Sequence, residues 1–129
     1  LLINGDVYFE WDLNAWLEKA KSTIAVKKAF LALVPNPKHH LEGDFSIDAN
    51  TYELKFKEAV DELSFTYSGV GLYHKSFFSG LSLTYQALGP LLKAGIAKGL
   101  IVGQVESQYW LDVGTPERLN ELISRKSSS

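Results

Sequence analysis

Ala29-Phe30-Leu31-Ala32-Leu33-Val34 runs directly into Pro35-Asn36-Pro37. The run is too continuously apolar for a half-exposed strand, so it reads as a strand buried on both faces, and the prolines end it because they cannot donate to a ladder. A strand covered above and below belongs to a layered α/β arrangement, with helices flanking the sheet.

Upstream, Asp12 is placed to cap a helix running to about Lys21, and Leu13, Trp16, Leu17 and Ala20 recur at helical spacing along it. Trp11 and Trp16 belong to that packing pattern, whereas Lys27-Lys28 reads as a solvated face. Leu1 to Asn4 is a short apolar run ended by Asn4-Gly5-Asp6, the pattern of a central strand reaching a tight turn at its carboxyl end. It opens in mid-strand, so an upstream segment, or a second copy of the chain, is expected to cover the exposed sheet. Downstream, Gly43 to Asp48 and the alternating Tyr52, Leu54 and Phe56 form a hairpin around Ala49-Asn50. A strand over Phe65 to Tyr73 is interrupted by Gly69 and Gly71, a helix from Leu88 to Lys98 is closed by Gly99, and Ile101–Val105 and Tyr109–Val113 are two further strands. Thr115-Pro116-Glu117 has the cap, first-turn proline and acidic residue of a helix start, and that last helix runs out at Lys126. The expectation is a single α/β, Rossmann-like domain with a mixed sheet over residues 1–126 and a disordered tail at 127–129.

Composition narrows the function classes. Aromatic residues make up 12% of the 129, enough apolar surface to offset chain entropy. A formal net charge of −2 with scattered lysines leaves no footprint for nucleic acid. The absence of cysteine excludes disulfides and thiolate metal sites and fits a reducing compartment, so the cytoplasm is the expected location. No apolar run reaches the roughly 18 residues of a membrane span, and no membrane role is expected.

Asp6, at the carboxyl end of a strand, sits where α/β sheets bind ligands and is a hard oxygen donor suited to Mg²⁺; Asn4-Gly5-Asp6 is equally a turn bonded to its own backbone. Asp112 lies inside Tyr109-Trp110-Leu111-Asp112-Val113, where a charge needs a partner, a metal or a helix to cap. Two carboxylates holding one divalent ion suit phosphoryl chemistry. Asp44 after Gly43 can bond sugar hydroxyls, with Gly43 admitting the ring, or can be an exposed hairpin carboxylate. Ser68-Gly69 is either pocket lining or a bulge, and Asn4 either contacts a ligand or forms the turn. Adjacent His39-His40 on a proline-bounded loop offer poor geometry for one metal and are set aside as catalytic groups.

Leu2-Ile3-Asn4-Gly5-Asp6 followed far downstream by Trp110-Leu111-Asp112-Val113-Gly114-Thr115 resembles the sugar-1-phosphate nucleotidyltransferase family, whose fold is a GT-A-like mixed sheet. Leu33-Val34-Pro35-Asn36-Pro37-Lys38-His39-His40, Glu42-Gly43-Asp44-Phe45, Leu63 to Gly69 and Leu88-Gly89-Pro90-Leu91-Leu92 extend the likeness, nearest to its uridylyltransferases for N-acetylmuramate 1-phosphate in cell-wall (peptidoglycan) recycling. The resemblance implies that Asp6 and Asp112 bind Mg²⁺, that Asp44 helps hold the sugar phosphate, and that UTP and a sugar 1-phosphate are the substrates. It also implies a glycine-rich phosphate-gripping signature before Leu1, so the isolated chain is expected to be inactive. Transfer to another sugar or from another base, as in a mannose-1-phosphate guanylyltransferase, and a noncatalytic sugar-phosphate-binding regulatory protein are the alternatives.

Overall fold

In the computed structural model, which describes residues 1–3, 5–56, 63–78 and 88–128, all six residues of Ala29–Val34 are buried. Along the chain the described elements are β1 (Leu2–Ile3), β2 (Val7–Phe9), α1 (Leu13–Ile24), β3 (Ala29–Val34), β4 (Ser46–Ile47), β5 (Leu54–Lys55), β6 (Thr66–Tyr73), a 3₁₀ turn (Lys75–Phe78), α2 (Leu88–Ala97), β7 (Ile101–Val105), β8 (Trp110–Asp112) and α3 (Pro116–Ser128). The main sheet has the order β1-β6-β3-β7, with β3 antiparallel to β6 and parallel to β7. It is the mixed α/β sheet expected from the sequence.

Alternate residues of β3 feed two separate cores, as the two-residue period of a strand dictates. Phe30, Ala32 and Val34 pack with Trp11, Trp16 and Ala20 under α1, while Ala29, Leu31 and Leu33 pack with Leu54, Leu92 and Ile101 beneath the β4–β5 hairpin and α2. Asp12 caps α1, its Oδ1 accepting from the Ala15 amide at 3.2 Å, and Trp16 meets Phe30 edge-on at 5.4 Å. The helix continues to Ile24 beyond the expected Lys21, because Ile24 extends the same apolar stripe against the core. α2 closes on Gly99 in the left-handed region, φ +68°, where glycine is unstrained. Lys27 departs from its expected solvated face: its Nζ bonds Glu53 Oε2 at 3.1 Å and the Gly99 carbonyl at 2.8 Å, tying the hairpin to the end of α2.

Of the expected strand at the start of the chain, Leu2 and Ile3 form β1. Among the described strands β1 lies at one end of the sheet, paired with β6 alone, and Ile3 is 43% exposed. Within β6 the partners of Leu31 and Leu33 are Gly71 and Tyr67, so the strand bulges across Ser68 to Val70, with Gly69 at φ +89°. That bulge carries β6 toward the remaining piece of the molecule, an antiparallel ribbon of β2 and β8. The final helix starts at the expected Thr115 cap, whose Oγ1 accepts from the Arg118 amide at 3.3 Å, and reaches Ser128, two residues past the expected end. Among the described residues no helix is long and apolar enough to cross a membrane.

Candidate active site

The ribbon is what brings the two aspartates together. β2 leaves the Gly5-Asp6 turn and pairs Val7 with Asp112, Tyr8 with Leu111 and Phe9 with Trp110. The Val113 amide then donates to the Asp6 carbonyl at 2.7 Å, extending the ladder by one step. Both carboxylates turn over Gly114: a methyl group placed on its Cα would lie 2.9 Å from Asp112 Oδ1 and 3.1 Å from Asp6 Oδ2, so these oxygens are no more than 6.0 Å apart, the sum of the two distances.

The two side chains are held differently. Asp112 Oδ1 accepts from the Gly114 amide at 2.8 Å and Oδ2 meets Arg118 Nη2 at 3.3 Å, while Arg118 Nε donates to the Asp112 carbonyl at 2.7 Å. Arg118 therefore grips one residue at both its backbone and its side chain from the first turn of α3. A charge inside a strand needs such a partner, since an unpaired one would cost several kcal/mol. Asp6 is exposed and its carboxylate has no hydrogen-bond partner among the described residues.

In front of the pair lies a cavity of about 360 Å³. Asp6 and Asp112 form one wall; His39 and His40 come from the loop after β3, and Thr66, Tyr67 and Ser68 from the start of β6. Because β6 is antiparallel to β3, its start lies at the carboxyl end of β3, which is the ligand-binding end of an α/β sheet. Trp110 completes the lining and fixes the bulge, its indole N–H donating to the Ser68 carbonyl at 2.9 Å. Burial pushes the Tyr67 hydroxyl above its ordinary range, against the opposing effect of its hydrogen bond to Tyr73.

Of the residues singled out from sequence, Asp6, Asp112 and Ser68 meet at this cavity. Asn4 lies outside the described residues. Gly69 does not reach the cavity wall; its left-handed backbone makes the bulge that delivers Ser68. Gly43 does not open a space for a sugar ring, because a Cβ there would lie 2.6 Å from Ser64 Oγ and 2.7 Å from Asn36 Oδ1, so protein already fills its open side. Asp44 is engaged at both oxygens, with His40 Nε2 3.0 Å from Oδ1 and the Tyr67 amide 2.8 Å from Oδ2. Sequence reasoning missed Arg118 and set His40 aside. A basic residue in the first turn of a helix, where the macrodipole disfavours it, was the available signal for Arg118.

No family model matches the chain. Over 122 residues it is 36% identical to the N-acetylmuramate alpha-1-phosphate uridylyltransferase of Neisseria meningitidis serogroup B, an alignment covering 94% of this chain and 52% of that protein. Among solved structures it superimposes with a TM-score of 0.70, at 19% identity, on a protein of Bacillus anthracis described as a glucose-1-phosphate thymidylyltransferase and crystallised with sucrose, over 95% of this chain and 52% of the other. The chain thus spans about half the length of the relatives it matches. Its likeness to sugar-1-phosphate nucleotidyltransferases runs through nearly the whole sequence, and it shares the α/β fold of the structure it superimposes on.

Proposed function

We propose that the chain carries the metal-binding side of an active site that transfers a uridylyl group from UTP to a sugar 1-phosphate, with N-acetylmuramate 1-phosphate as the sugar substrate and cytoplasmic cell-wall recycling as the setting. The phosphate oxygen of the sugar attacks the α-phosphorus of UTP, the bond to the β-phosphate breaks, and pyrophosphate leaves with a UDP-sugar. The observation that carries this reading is the convergence of Asp6 and Asp112 over Gly114 at the edge of one cavity.

These residues fit Mg²⁺. They present hard carboxylate oxygens that turn over the same glycine. Two carboxylates leave coordination positions to water and phosphate oxygens, as Mg²⁺ prefers. When bound, the ion supplies neutralisation of the triphosphate charge. The chain's own contribution is positional: Arg118 holds Asp112 toward the cavity, Gly114 keeps the space between the carboxylates clear, and the Ser68 bulge pinned by Trp110 shapes the opposite wall. No nucleophilic side chain is needed for in-line displacement. The described lining has no Lys or Arg.

The relative with 36% identity carries the substrate in its name, which favours N-acetylmuramate 1-phosphate over mannose or glucose 1-phosphate. The test is pyrophosphate release by the intact protein with each NTP and each sugar 1-phosphate, with and without a chelator. UTP with N-acetylmuramate 1-phosphate is expected to give the fastest release, abolished by EDTA and restored by Mg²⁺. Mg²⁺-dependent nucleotide binding without release would replace this reading with that of a noncatalytic sugar-phosphate-binding regulator.

A further inference from the structure

The cavity poses an electrostatic problem, because the charge of a bound Mg²⁺ would be taken up by the two aspartates and the triphosphate, leaving that of the sugar phosphate to be met by other groups. A sugar phosphate entering it faces Asp6 and Asp112, and of the described lining side chains only those of His39 and His40 can carry positive charge. His39 is exposed and has no hydrogen-bond partner among the described residues. His40 is held: Asp44 Oδ1 sits 3.0 Å from its Nε2, and Asp44 is itself fixed to the sheet by the Tyr67 amide at 2.8 Å. Gly43 is left-handed and packed against Asn36 and Ser64, so the backbone presenting Asp44 has little room to move. This is a built arrangement, in which the strand amide of Tyr67 holds the Asp44 carboxylate and the carboxylate holds the imidazole of a lining residue.

Asp44 does not line the cavity, and both its oxygens are on protein atoms; His40, which it holds, does line the cavity. We propose that His40 contacts the sugar 1-phosphate, through the ring nitrogen not engaged by Asp44, and that Asp44 is a positioning residue acting through His40 instead of touching the ligand. The inference rests on the nucleotidyl-transfer reading for its ligand class. It assigns the binding contact to a residue whose neighbours in sequence make it look like a solvated loop histidine.

The contact can be tested with and without turnover. Intact protein labelled with ¹⁵N in histidine is titrated with N-acetylmuramate 1-phosphate in Mg²⁺; the His40 ring signals are expected to move while those of His74, which bonds Ser76 far from the cavity, stay in place. Kinetically, His40→Gln is expected to raise KM for the sugar phosphate about tenfold or more, the scale of one lost charge-assisted hydrogen bond, with kcat changed far less. Asp44→Asn is expected to raise KM by a smaller factor and to add nothing in the double variant, because both changes act on one contact. Additive effects in the double variant would mean that Asp44 touches the ligand itself and would overturn the proposal. So would a His40 ring that stays unmoved at saturation, or the absence of saturable binding. Lack of pyrophosphate release by wild-type protein would instead sink the nucleotidyl-transfer reading and leave the titration to decide the contact; if the variants fold poorly, the titration of wild-type protein decides it as well.

Discussion

The sheet core and the β2–β8 ribbon are built on opposite principles. β3 is six residues of uninterrupted apolar side chain, buried throughout and bonded along both edges. β2 and β8 have three residues each, mostly half-buried, and are bonded to each other in a separate two-stranded sheet. The first region holds the fold together; the second holds the two aspartates in register. The contrast teaches that the site is stabilised by pairing and by one arginine more than by burial, so stability and activity should respond to different substitutions.

The largest effect belongs to the core. Trp16 is 4% exposed and packed on Phe30, and Trp16→Ala is expected to cost about 3–5 kcal/mol in urea unfolding, through lost burial and the cavity left behind. Hydrogen exchange on the same variant sharpens the comparison. If core and ribbon are separate units, amides of β3 and β7 lose protection while the amides bonded between β2 and β8 keep theirs; equal loss throughout would make the molecule one cooperative block.

Next come the aspartates, where the comparison falls within the ribbon. Asp6→Ala and Asp112→Ala are both expected to cut Mg²⁺-dependent turnover of the intact protein by about 10²–10³-fold, the scale of removing one preorganised charge-stabilising group. Their stabilities should diverge. Asp6 is exposed and unpartnered among the described residues, so its loss should stay within about 0.5 kcal/mol. Asp112→Ala removes the acceptor of Arg118 Nη2 and of the Gly114 amide, leaving Arg118 only its Nε bond to the backbone carbonyl, and should cost about 1–3 kcal/mol. Equal denaturation midpoints for the two variants would show that Arg118 contributes nothing by gripping Asp112.

What the sequence displayed follows the same division. The double-sided burial of Ala29–Val34, the Asp12 and Thr115 caps and the Gly99 stop are local rules, satisfied by residues within one element, and each appears where it was read. β2 was not legible, because Val7-Tyr8-Phe9 has no two-residue alternation and its existence depends on a partner a hundred residues away. For that reason the meeting of Asp6 and Asp112 followed from family likeness and not from spacing. Gly43 reads from sequence as an opening for a ligand, yet what it accommodates is protein, Asn36 and Ser64, while of the two readings of Ser68-Gly69 the glycine takes the bulge. A glycine reports that space or a left-handed backbone is needed, and only coordinates say what occupies the space. His40 was passed over for its adjacency to His39, whereas its meaning lies in Asp44, four residues on.

The finest test of the ribbon is Gly114→Ala. Gly114 is not among the positive-φ glycines, so alanine brings no backbone strain there, and any effect must come from the added methyl group. That methyl would lie 2.9 Å from Asp112 Oδ1, closer than carbon and oxygen tolerate, and 3.1 Å from Asp6 Oδ2. Asp112 Oδ1 would have to move away from the amide of the same residue, now 2.8 Å distant, while Arg118 still draws on Oδ2. The exposed Asp6 gives way at little cost. The expected result is therefore a loss of about one net hydrogen bond, roughly 0.5–1.5 kcal/mol of stability. Apparent Mg²⁺ affinity, measured by titrating turnover with the metal, should weaken about tenfold, since carboxylates pushed apart no longer share one ion's coordination sphere. If the variant weakens the sugar-phosphate KM and leaves the Mg²⁺ dependence unchanged, the space over Gly114 belongs to substrate, and the two aspartates do not share a metal there.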